Sequence, residues 1–124
     1  MGVILSVAIG GAVGSILRYL ISKYSQSFFG ISFPLGTLLV NLIGAFLIGF
    51  FFSYLIEKVA INPYARGMLI TGFLGGLTTF STFSYESLTL LREGEFLKFI
   101  LYFVGTNLLG ISGTFLGYKI GETL

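Results

Sequence analysis

The chain has 124 residues, 55% of them hydrophobic and only 10% charged, with a mean hydropathy of +0.97; soluble domains carry about 25% charged residues, which argues against a soluble globule. Seven Lys or Arg against five Glu give a net charge of +2 with no basic cluster, so no arm for nucleic acid or anionic lipid is present. The absence of Cys, His and Asp removes the usual groups for disulfides, zinc, haem, serine triads and histidine acid–base chemistry.

Charge is missing from residues 1–17, 24–56, 67–85 and 99–118. Each stretch is near or above the roughly 20 apolar residues that a spanning helix needs. Four of them are more than a signal peptide or a lone stop-transfer segment provides. The chain reads as an all-α membrane protein, one transmembrane domain over 1–124, with four transmembrane helices at about 2–24, 35–58, 63–91 and 96–121.

In helix 1, Gly10 and Gly14 form a small face for close helix packing. Arg18 lies five residues inside Lys23, about 7.5 Å along a helix, where it either snorkels or draws anions into a wet mouth. A loop over 25–33 follows, and Pro34 suits the first turn of helix 2. Asn41 then places an amide within the apolar run. Unpaired in hydrocarbon it is costly, so it either bonds another helix or donates to an anion. Ala45 and Gly49 repeat the small-residue spacing.

Residues 72–84 of helix 3 read GFLGGLTTFSTFS. The Gly75-Gly76 pair ahead of Thr78 and Thr79 is poor helix, and a break is expected near Gly75 to Thr79. Carbonyls freed there bind cations, and freed N–H groups bind anions. A kinked helix with its Ser and Thr bonded to the preceding turn is the other reading. Phe80 and Phe83, at i,i+3, share a face. Their positive ring edges suit an anion path without a trapping charge, although ordinary packing is the more common use of Phe. Ser81 and Ser84 add hydroxyls, and Glu86 follows, placed to pair with a base or to close one end of a path. In helix 4, Tyr102, Thr106 and Thr114 lie on one stripe with Gly110 in the gap, while Gly113, Gly117 and Gly121 form another small face.

With the N-terminus on side one, Lys58, Arg66 and Lys119 lie there, against Lys23, Arg92, Lys98 and the deeper Arg18 on side two. Such balance gives no orientation bias. Either lipids and partners decide, or the chain inserts both ways and an antiparallel dimer becomes available.

Three segments resemble the signatures of the bacterial Fluc/CrcB fluoride channels: residues 10–19 (GGAVGSILRY), 34–44 (PLGTLLVNLIG) and 72–86 (GFLGGLTTFSTFSYE). The resemblance spans nearly the whole chain. It implies an antiparallel, dual-topology homodimer in the bacterial plasma (inner) membrane, surrounded by lipid. Such a dimer passes fluoride outward passively through two pores and relieves fluoride toxicity. It further implies a central structural Na+ held by the main-chain carbonyls of Gly75 and Thr78 from both subunits, where the third helix breaks in mid-membrane. Phe80 and Phe83 would turn ring edges to the ion, with Ser81 and Ser84 among the pore residues. Asn41 would donate to fluoride, and Tyr102, Thr106 and Thr114 would form a polar track. Gly110 departs from the hydroxyl that some relatives place in that track. Arg18 and Glu86 would sit at the vestibule. No covalent step is implied, so the protein is expected not to be an enzyme. The Gly-rich runs lack the Lys of a phosphate loop. A dual-topology exporter of drugs or guanidinium would need a carboxylate in helix 1, which has none. A non-conducting scaffold would leave residues 78–84 unexplained.

Overall fold

Glycine, proline and short polar side chains set the boundaries of the helices. The computed structural model describes all of residues 1–124. Helix α1 is Gly2–Phe29 and ends where Gly30 takes a left-handed φ of 80° that other residues resist. Helix α2 is Leu35–Val59, regular over Leu35–Phe50 and wound wider, in π geometry, over Phe51–Val59. Ala60 ends it at φ 58°, with its N–H on the Leu55 carbonyl. Asn62 caps the next start by accepting from the Ala65 N–H at 2.8 Å, with Pro63 at the first helical position.

Helix α3 occupies residues 63–77, as Pro63–Arg66, a π-wound Gly67–Leu74 and a last turn Gly75–Leu77. Thr78 (φ −92°, ψ 158°) and Thr79 (φ −151°, ψ 124°) are extended. Helix α4, Phe80–Arg92, and helix α5, Phe96–Thr123, complete the chain. Three helices, α1, α2 and α5, are each long and apolar enough to cross a membrane. The fourth helical segment is the pair α3 and α4.

The first boundary differs from expectation. Helix α1 runs to Phe29 rather than to about 24, so the connection shortens to residues 30–34. Residues 24–29 contain neither Gly nor Pro, and nothing in that polar stretch stops a helix already under way. Polarity alone is no stop signal.

Small residues decide which helices touch. A Cβ at Gly10 or Gly14 of α1 would strike the carbonyls of Met68 and Phe73, and one at Gly72 of α3 would strike the Val7 carbonyl. On the other side, Gly49 of α2 abuts the Thr114 carbonyl, and Gly117 of α5 abuts the Phe46 carbonyl. The pairs α1/α3 and α2/α5 therefore approach backbone to backbone, as small-residue faces allow.

The buried apolar side chains form two small cores. One is Val40, Leu74 and Leu77, flanked by Ile21, Leu47 and Phe73. The other is Phe83, Leu90 and Tyr102, flanked by Phe33, Leu38 and Phe99. Only 20 of 124 residues are buried, so most apolar side chains, such as Ile4, Val13, Leu108, Ile111 and Phe115, point outward. An apolar exterior of this extent has to meet lipid or protein rather than water. Near the end of α2, Glu57 accepts from the Tyr118 hydroxyl at 2.6 Å and Lys58 donates to the Glu122 carbonyl, tying α2 to α5.

Candidate functional site

Several side-chain hydrogen bonds converge on the two extended residues between α3 and α4. Asn41 of α2 exchanges two hydrogen bonds with the Thr79 backbone. Its Nδ2 donates to the Thr79 carbonyl at 3.0 Å, and its Oδ1 accepts from the Thr79 N–H at 2.8 Å. One Nδ2 hydrogen has no protein partner. Thr79 caps α4: its Oγ1 accepts from the Thr82 N–H at 3.2 Å and lies 3.2 Å from Thr82 Oγ1. Thr78 folds back on α3, placing both its N–H (3.0 Å) and its Oγ1 (2.9 Å) on the Leu74 carbonyl.

Four carbonyls around the end of α3 differ in what they bond. Leu74 is satisfied by Thr78. Gly76 accepts from Arg18 Nε at 2.9 Å, so this guanidinium reaches the last turn of α3. Gly75 differs. In a continued helix its carbonyl would receive the Thr79 N–H, which instead goes to Asn41. Thr78 differs likewise, because the Thr82 N–H that would reach its carbonyl goes to Thr79 Oγ1. Gly75 is exposed, and a Cβ there would touch nothing within 4 Å.

Phe80 stands 78% exposed, whereas Phe83 is 7% exposed. Their centroids are 5.9 Å apart, with the planes tilted by 52°. Phe83 packs on Tyr102 at 5.0 Å and stacks on Phe103 at 6.3 Å. Tyr102 is fully buried, and its hydroxyl donates to Glu86 Oε1 at 2.8 Å. The partner of Glu86 is thus a phenol and not a cation. Thr106 carries the one buried side-chain oxygen that lacks any partner. Thr114 Oγ1 donates to the Ala45 carbonyl at 2.7 Å, with the Gly110 carbonyl 3.1 Å away. Ser81 and Ser84 are exposed on α4.

Two concavities gather most of these groups. An open groove of about 480 Å³ holds Asn41, Gly75, Thr78, Thr79, Phe80 and Thr114, and no charged residue lines it. A larger cleft of about 870 Å³ is lined by Arg18 and Glu86, with Ser15, Ser22, Thr37 and Thr82 between them and Glu93, Glu95 and Lys98 also on its wall. Phe83, Tyr102 and Thr106 line neither, so within this chain the aromatic pair and the hydroxyl stripe are not joined into one passage. Sequence reading passed over the capping role of Thr79, whose position ahead of Phe80-Ser81-Thr82 is a helix-start signal. It also passed over the Tyr102–Glu86 bond, for which spacing gives no sign.

Residues 5–118 match the family described as CrcB-like protein, Camphor Resistance (CrcB). A protein of Aquifex aeolicus (strain VF5) named fluoride-specific ion channel FluC is 68% identical over the full length of both chains. Proteins of the same name from Hydrogenobaculum sp. (strain Y04AAS1) and from Thermus thermophilus are 49% and 48% identical. Those two matches cover 97% of this chain and 98% and 94% of the respective relatives. The chain belongs to the CrcB-like family.

Proposed function

We propose that this protein is a passive, fluoride-selective channel of the bacterial plasma membrane, working as an antiparallel homodimer with two pores. It is a transporter and not an enzyme. The observation that carries the reading is the 68% identity, end to end, to a relative named for fluoride-specific conduction. The site chemistry supports it. Fluoride is small and strongly hydrated, so a pore has to replace its water with several weak donors and avoid a trap. The uncharged groove offers the second Asn41 N–H and the ring of Phe80. The unpartnered hydroxyl of Thr106 is a further donor along the path, between Tyr102 and Thr114. Phe80 is exposed while Phe83 is packed inward, which suits a path completed by a second subunit.

A central Na+ fits the residues present. Gly75 and Thr78 both have carbonyls whose regular helical donors are bonded elsewhere, and neighbouring Gly76 is already taken by Arg18. Bound there, the cation supplies positive potential close to two anion paths. The groups of this chain hold the break, present the donors and exclude charge. Arg18 and Glu86 stand at the vestibule, in the larger cleft.

The test is efflux from liposomes loaded with potassium fluoride, triggered by valinomycin, with chloride-loaded liposomes in parallel. Rapid fluoride release without chloride release, abolished by Phe80→Ile, is the expected outcome. Retention of fluoride by vesicles that contain folded, dimeric protein would sink the proposal.

A further inference from the structure

Thr79 has no direct part in the pore proposed above, yet it sits where the backbone accounting turns. Two amides are diverted at the break, and each diversion is made by a side chain. Asn41 Oδ1 holds the Thr79 N–H at 2.8 Å, and that amide is the one a continuous helix would place on the Gly75 carbonyl. Thr79 Oγ1 holds the Thr82 N–H at 3.2 Å, the regular donor for the Thr78 carbonyl. We propose that the Asn41 and Thr79 side chains are positioning residues for a cation site, each keeping one carbonyl of the Gly75 and Thr78 pair free for the ion. The inference rests on the reading that Na+ binds these carbonyls.

The physical logic is a competition between two acceptors for each amide. A partly buried N–H has to be bonded. With a side-chain oxygen in reach, the extended conformation of Thr78 and Thr79 satisfies it and leaves the main-chain oxygen without its regular helical donor. With that oxygen removed, helix continued through residues 75–82 becomes the way to bond the amide, and it consumes the same carbonyl that the ion needs. Asn41 makes a second bond to the Thr79 carbonyl, which fixes the strand-like residue from both sides. Arg18 closes the Gly76 carbonyl, which lies between Gly75 and Thr78 in the sequence.

The experiment is thermal unfolding of the purified, full-length assembly in sodium-free buffer, with added NaCl compared against equal KCl. A ligand that binds the folded form raises the melting temperature, increasingly as its concentration exceeds its Kd. The native chain is expected to show a rise specific to sodium. Thr79→Val keeps the shape but has no acceptor, and the sodium-specific rise should be lost. Thr79→Ser should retain it. A general loss of packing would lower melting equally in both salts and leave the difference unchanged, so the difference reports the site. Thr79→Val with the full sodium-specific rise would overturn the proposal. Thr79→Asn keeps a capping oxygen and should preserve the rise. Its loss there would overturn the proposal even if Thr79→Val fails to assemble. No sodium-specific rise in the native chain would instead overturn the sodium reading itself, and the inference with it.

Discussion

Replacing Asn41 tests its hold on the extended Thr79. Asn41→Ala deletes two hydrogen bonds to Thr79, at 3.0 and 2.8 Å. Each contributes about 1 kcal/mol net, and stranding the Thr79 N–H in a partly buried groove costs a further ~1 kcal/mol or more. The expected loss is about 2–4 kcal/mol of folded-state stability. Asn41→Asp retains an acceptor for the Thr79 N–H but turns a carboxylate oxygen toward the Thr79 carbonyl, where the amide now donates. Oxygen facing oxygen repels, so at neutral pH this variant should be at least as unstable as Asn41→Ala. On acidification the carboxyl gains a proton, which it can donate to the same carbonyl. Its stability should therefore rise toward the native value as pH falls, while that of Asn41→Ala stays flat. Reversible unfolding in mixed micelles across the pH range reads both curves. Coincident, pH-independent curves for the two variants would refute the double-bond geometry.

Three further substitutions probe other parts of the structure. Gly49→Ala drives a methyl into the Thr114 carbonyl and should lower the melting temperature sharply, whereas Gly105→Ala meets nothing within 4 Å and should leave the protomer unaffected or slightly stabilised by removing a helical glycine. Phe80→Ile alters a ring that is 78% exposed, so stability should change by less than about 0.5 kcal/mol while fluoride efflux stops. Tyr102→Phe removes the hydroxyl that Glu86 accepts from but keeps the contact with Phe83, costing about 1–2 kcal/mol. Tyr102→Ala empties a fully buried site and should cost about 3–5 kcal/mol in the same unfolding assay.

The helical class and the four segments were legible because lipid demands long charge-free runs, and such runs are visible without any knowledge of partners. The packing faces were legible for a similar reason: Gly10, Gly14, Gly49 and Gly117 repeat at helical spacing, and each now abuts a neighbouring backbone. Residues 75–79 stand out as poor helix by composition, and the backbone at Thr78 and Thr79 is extended. The sequence did not disclose what holds that conformation. Asn41 and Thr79 are 38 residues apart, and their double bond depends on how α2 meets the end of α3. Interhelical bonding and anion donation looked like competing uses for Asn41. Its amide has two hydrogens, and one of them already serves the first use. Arg18 reaches Gly76 for the same tertiary reason, since 58 residues separate them. The extra turn of α1 was missed because Ser and Gln look like loop residues yet continue a helix that nothing interrupts. The π winding of Phe51–Val59 and Gly67–Leu74 has no counterpart in the pattern of side chains.

The most direct test of fluoride conduction is a planar-bilayer recording of the native protein between potassium fluoride on one side and a dilute mixture of fluoride and chloride salts on the other. The expected result is a steady current that reverses at the equilibrium potential of fluoride and does not move when chloride is changed. A reversal potential that follows chloride or potassium, or no current from membranes that demonstrably contain the assembled protein, would contradict it.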